Sequence, residues 1–153
     1  MYKYILGGYN GIRSIRQLRN TQIDFEKYYN DKNYDPTKDG FVWRKHARLQ
    51  VFMAREYKNQ NPKENTDEHS GSIDGLGFNG DEHKVVMTKD IVKRLEDAIK
   101  NDYWDYFATD GFFWGQQFQE EQVKEYKKYD KQFLKFCKDC LKKDKIVEYS
   151  CSW

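Results

Sequence analysis

"GQQFQEEQVKEYKKYDKQFLKFCKDCLKK" occupies residues 115–143. Phe118, Tyr126, Tyr129, Phe133, Phe136, Cys137, Cys140 and Leu141 recur along it at helical spacing, which predicts one long helix over about 116–143. Glu120 and Glu121 lie near its start and Lys142 and Lys143 near its end, an order that suits the helix dipole. The stripe is mainly aromatic, and so is the apolar inventory of the whole chain. Of 153 residues, 38% are hydrophobic and 17% are Phe, Tyr or Trp. Each aromatic side chain buries about 150–250 Å², so a few of them replace many aliphatic residues in a core. The 12 tyrosines also bring hydroxyls that need partners once buried.

Upstream of the long helix stands "DGFFWG" (110–115). Its glycines suit a corner leading into the helix, and packing predicts that at least two of Phe112, Phe113 and Trp114 point inward. Before it, Ile91, Val92, Leu95, Ala98 and Ile99 mark a second helix, with Thr88 as its N-cap. "FVWRKHARLQVFMAREYKNQ" (41–60) reads as a third. Trp43, Ala47, Val51 and Ala54 form a stripe that Val42, Leu49, Phe52 and Met53 widen, which predicts a central rather than a peripheral helix. Ile15, Leu18, Gln22, Phe25 and Tyr29 give helical spacing to part of 11–30, beside Arg13, Arg16 and Arg19. Strand-like runs remain at 2–9, 83–88 and 146–153, where Val147, Tyr149 and Cys151 alternate with polar residues. The expected fold is α+β: about four helices, a small antiparallel sheet of two or three short strands, and an aromatic-rich core. The first and last strands are expected to pair antiparallel. Residues 1–153 read as a single domain with a flexible, Gly-rich loop near 59–82.

Charged residues make up 34% of the chain yet leave a net charge of only +2, so little general attraction to nucleic acid or anionic membrane is expected. The chain has no long apolar run and opens "MYKYILGG", without a cationic leader, which predicts neither a membrane span nor a secretory signal. Three cysteines without framework spacing fit a reducing compartment.

The motifs yield no catalytic constellation. "GLGFNG" (75–80) matches a dinucleotide fingerprint in letters, but a loop precedes it and a strand candidate follows, the reverse of the required context. Cys137 and Cys140 form a C-x-x-C near the end of a helix, where the dipole disfavours a thiolate, and their place on the stripe makes them core. His46, His69 and His83 show no metal spacing. No catalytic residue, metal ligand or cofactor is assigned. The binding candidates are Trp43, Arg44, Lys45 and Arg48, where arginine beside an aromatic suits phosphate and stacking contacts. Phe113, Trp114, Gln116 and Trp153 join them. The competing reading makes Arg44, Lys45 and Arg48 a solvated face beside a buried Trp43.

In order along the chain, "WRKHARLQVFM" (43–53), "MTKDIVKRLEDAIK" (87–100), "DGFFWG" with the long helix behind it, and the closing "YSCSW" (149–153) resemble a family of small uncharacterised tailed-bacteriophage proteins. Those share a WRK helix, a GFFxG corner and a C-terminal Y-S-x-S-W tail. The resemblance covers roughly 41–58 and 84–153. It departs from the family at Ala47 and Gln50, where the WRK helix is expected to carry Asn and His. It implies a phage-encoded accessory protein acting in the host cytoplasm and implies no catalytic residues. The leading expectation is therefore a non-enzymatic protein that works by binding a host or defence protein or a small nucleotide, with no membrane partner and with homodimerisation open. Two alternatives stand beside it: a nucleic-acid-binding module using Arg-rich helices, and an enzyme acting on a nucleotide.

Overall fold

The computed structural model describes the backbone of residues 3–7, 12–16 and 19–21, and backbone with side chains for 23–64, 78, 82–107 and 115–151. In chain order the elements are β1 (Lys3–Gly7), β2 (Ile12–Arg16), β3 (Arg19–Thr21), α1 (Phe25–Asn30), α2 (Pro36–Asp39), α3 (Ala47–Gln60), β4 (Val85–Val86), α4 (Lys89–Lys100), α5 (Gln116–Lys142) and β5 (Glu148–Tyr149). The fold is α+β, as the patterning predicts. The described strands form one sheet in the order β3-β2-β1-β5-β4.

Two expectations about the sheet are corrected. Helical spacing in 11–30 gives way to β2 and β3, and among the described residues there only α1 is helical. Ile12, Ile15 and Thr21 are β-branched, and pairing Ile5 with Ser14 and Ile15 with Asn20 satisfies their backbones in an antiparallel meander. Arg13 and Arg16 therefore lie on β2 and Arg19 on β3, not on a helix. The first and last strands are neighbours but run parallel, with Leu6 opposite Glu148. The chain between them carries the helices across and returns in the same direction, as a parallel pair requires. The antiparallel partner of β5 is β4, Val85 facing Tyr149.

The third correction falls in 41–60. The helix starts at Ala47, and Phe41–His46 form a non-helical strap. Gly40 (φ 112°) turns the chain into the strap, a conformation that suits glycine alone, and Lys45 (φ 59°) turns it out. His46 then caps α3 by accepting from Leu49 N–H through Nδ1. The helix is central, as its wide stripe predicts: most of Ala47–Tyr57 is buried. Its one buried acid, Glu56, accepts two hydrogen bonds from Arg94 at 2.7 and 2.8 Å.

Helices α4 and α5 follow their sequence patterns closely. Thr88 caps α4 through Ile91 N–H. Both helices end in the same way. The residue after the C-cap, Asp102 or Asp144, adopts positive φ, and the next residue's N–H reaches back to Ala98 or Cys140 C=O. This is the Schellman ending that glycine usually serves. The core is aromatic: Phe41, Trp43, Phe52, Tyr57, Phe78, Tyr103, Phe133 and Tyr149 are fully buried. Trp43 and Phe133 meet edge to face with centroids 4.9 Å apart, the geometry their quadrupoles favour. Cys137 and Cys140 sit in this core, as the stripe predicts. Among the described residues no helix is long and apolar enough to cross a membrane.

Candidate functional site

The strap at 41–46 has no regular secondary structure, so its polar groups need other partners. Helix α5 supplies them. Val42 N–H donates to Tyr129 Oη at 2.7 Å, and Arg44 N–H donates to Tyr126 Oη at 2.8 Å. Trp43 Nε1 donates to Asp130 Oδ1 at 2.8 Å. Tyrosine hydroxyls thus stand in for a missing strand neighbour.

Asp130 is the centre of this polar core and is 2% exposed. Besides Trp43, it accepts from His46 Nε2 and from Tyr103 Oη, each at 2.8 Å to Oδ2. Because His46 Nδ1 accepts from Leu49 N–H, the network puts the ring proton on Nε2, pointing at Asp130. Three donors face the carboxylate, two from the strap and one from the turn after α4. The nearby carboxylate and complete burial hold the Tyr103 hydroxyl well above its ordinary range, burial being the larger cause. The His–Asp pair resembles half of a proton relay, but both His46 nitrogens are committed and Tyr126 lies flat on the ring at 5.3 Å. The pair fixes geometry and offers no lone pair to a nucleophile.

What it fixes is the turn after α4. Asp102 (φ 55°) and Tyr103 (φ 53°) are two successive non-glycine residues with left-handed backbone, at a cost of about 1–2 kcal/mol each. The anchored Tyr103 hydroxyl holds this conformation. Three cations clamp the turn from outside. Arg48 Nη1 donates to Asp102 C=O at 3.3 Å, Arg55 Nη2 to Asp105 C=O at 2.8 Å, and Lys127 Nζ pairs with the Asp102 carboxylate. Arg55 also lies 4.6 Å over the Tyr106 ring and Arg48 5.7 Å from the Phe107 ring. The tip of this turn is Trp104, 74% exposed, with Phe107 half-exposed beside it. At about 25 cal/mol per Å², leaving that much indole in water forgoes roughly 3–5 kcal/mol of burial.

The residues singled out by sequence are divided by the structure. Trp43 is closed in the core and offers no surface. Arg44 and Lys45 are exposed, with Arg44 5.9 Å from the Tyr29 ring, as the solvated-face reading expects. Arg48 departs from that reading. It is 8% exposed because the first turn of α3 packs under the 101–107 turn, and its Nε has no hydrogen-bond partner among the described residues. Gln116 is exposed and donates to Glu120 at 3.2 Å. Phe113, Trp114 and Trp153 lie outside the described residues, as do most of the Gly-rich loop and the inward-pointing aromatics expected in "DGFFWG". Gly115 has φ −57°, so the corner does not need glycine there. The structure therefore brings Arg48 to the turn and leaves Arg44 and Lys45 on the strap.

Sequence reasoning passed over Asp130, Tyr103 and Trp104. The signal for Asp130 was present: it falls on the line Val123, Tyr126, Asp130, Phe133, Cys137, Cys140, where a charge marks a buried acceptor. No family model, no curated protein and no solved structure matches the chain. Among the described residues no group of three or more His, Cys, Asp or Glu is placed to hold a metal ion.

Proposed function

We propose that this chain is a phage-encoded accessory protein that acts by binding a host or defence protein through the 101–107 turn. One observation carries the reading: Trp104 is held exposed on a turn with two strained residues, clamped by Asp130 from inside and by Arg48, Arg55 and Lys127 from outside. Backbone strain of this kind persists where the surroundings over-determine it, and it concentrates at binding sites. A rigid aromatic loses little entropy on docking. Trp, Tyr and Arg, all present here, are the residue types that dominate interface energetics. Each cation of the turn is matched by a carboxylate, Arg48 by Glu120, Arg55 by Asp105 and Lys127 by Asp102, so the surface has no excess positive charge for a phosphate backbone, which favours a protein. Phage origin and the host compartment rest on the motif order 43–53, 87–100, 110–115 and 149–153.

The test compares wild-type and Trp104→Ala bait in affinity capture from infected bacteria, with the captured protein then titrated in purified form. The alanine variant keeps the wild-type melting temperature, because the side chain is mostly in water, and its affinity falls at least about tenfold, the scale of an interface anchor. Equal affinity of the two proteins for the captured partner overturns the reading. Light scattering at micromolar concentration tells whether the partner is a second copy of the chain.

A further inference from the structure

A cleft of about 580 Å³ lies between α2 and the C-terminal third of α5, away from the Trp104 turn. Its volume falls within the usual range of small-ligand sites, roughly 300–1,000 Å³. The α5 wall is one helical stripe, in which Gln132, Lys135, Phe136, Asp139 and Lys143 recur every three or four residues. Half-buried Phe136 forms the apolar floor, backed by the fully buried Phe41 with ring centroids 5.3 Å apart. The Schellman ending of α5 turns the chain so that Lys145, whose N–H bonds back to Cys140 C=O, rejoins the lip. Two other depressions, of about 540 and 520 Å³, run along single segments at 24–33 and 61–64 and have no aromatic floor.

The charges of the cleft decide its sign. Lys135, Lys143 and Lys145 make no side-chain hydrogen bond or ion pair with a described residue, so three ammonium groups are uncommitted. Of the two acids on the lining, Asp35 is already engaged, accepting from Thr37 N–H and Thr37 Oγ1. Asp139 is the one acid left to face a ligand. The carboxyl end of α5 adds about half a negative charge. Three cations against two carboxylates and half a charge leave a small positive excess, and with Asp35 turned to Thr37 the uncommitted ammonium groups can hold an anion, with Asp139 as an acceptor to spare.

We propose that this cleft binds a nucleoside monophosphate. The phosphate is held by Lys135, Lys143 and Lys145, which act as point charges. The planar base lies on Phe136, and Asp139 accepts from a ribose hydroxyl. An inorganic anion leaves the floor wet, and a neutral nucleoside leaves the ammonium groups unpaired. The ligand must therefore carry both parts.

The test is calorimetric titration at low salt with AMP, GMP, CMP and UMP, alongside the four corresponding nucleosides and inorganic phosphate. At least one monophosphate binds and raises the melting temperature. For the base of that nucleotide, the free nucleoside and phosphate each bind at least about tenfold more weakly. Lys143→Glu and Lys135→Glu each weaken binding roughly tenfold or more, while Lys93→Glu, an equal change of charge on exposed α4, leaves it unaltered. Failure of all four nucleotides to bind at millimolar concentration overturns the proposal. So does phosphate binding as tightly as the nucleotide, or Lys143→Glu and Lys135→Glu binding like wild type. None of these outcomes bears on the Trp104 surface, which is tested by a different variant and partner.

Discussion

Replacing Asp130 with alanine removes the acceptor of three buried donors at once. Trp43 Nε1, His46 Nε2 and Tyr103 Oη each lie 2.8 Å from its oxygens. A donor left unpaired in a core costs about 1–3 kcal/mol, so three cost at least about 3 kcal/mol. Part of this is returned, because the carboxylate no longer has to be kept out of water and the left-handed residues of the turn can relax. The expected net loss is about 3–5 kcal/mol, a large share of the roughly 5–15 kcal/mol that stabilises a typical domain. Urea unfolding followed by tryptophan fluorescence reads it as a lower midpoint with an unchanged slope. Asparagine at the same position costs less, about 1–3 kcal/mol. Either orientation of its amide keeps one acceptor and sets an NH₂ group against one N–H donor. Tyr103→Phe removes a single donor and costs about 1 kcal/mol. An alanine variant within about 1 kcal/mol of wild type, or an asparagine variant less stable than the alanine one, refutes the three-donor account.

Asp144→Gly stabilises the protein by about 0.5–1 kcal/mol, because glycine takes the left-handed backbone without the Cβ penalty. Calorimetry then shows a melting temperature about 2 °C higher; a lower one contradicts the assignment of the α5 ending. Burial, reinforced by Cys140, holds the Cys137 thiol well above its ordinary range. Iodoacetamide at mildly alkaline pH therefore leaves Cys137 unmodified in the native protein and alkylates it in denaturing urea, as peptide mass mapping records. Rapid native labelling at Cys137 speaks against the packing of α5.

The elements that are legible in the sequence are those whose signals are local. Thr88 and the stripe of α4 predict the helix observed at Lys89–Lys100, because a cap and a 3.6-residue period act within a few residues. The stripe of α5 does the same, and its cysteines fall in the core as the period requires. The strap was illegible. Trp43 and Ala47 are spaced as helical neighbours, yet the helix begins at Ala47, because hydroxyls 82 and 87 residues away hold the preceding backbone. In the same way, helical spacing over 11–30 lost to backbone pairing with β1. Of the candidate binding residues, Arg44 and Lys45 were placed by composition alone. Arg48 was misjudged because burial of an arginine depends on what packs over it.

The sequence by itself determined an α+β chain with an aromatic core, a central α3 and two well-marked helices, since hydrophobic period and capping are properties of short segments. Only the tertiary structure decided that β1 and β5 run parallel, and that Asp130 gathers donors 84, 87 and 27 residues away. It alone shows that Trp104 stands in water on a strained turn. Hydrogen bonds across such distances leave no periodic trace in the chain, because their partners are matched in space rather than in sequence.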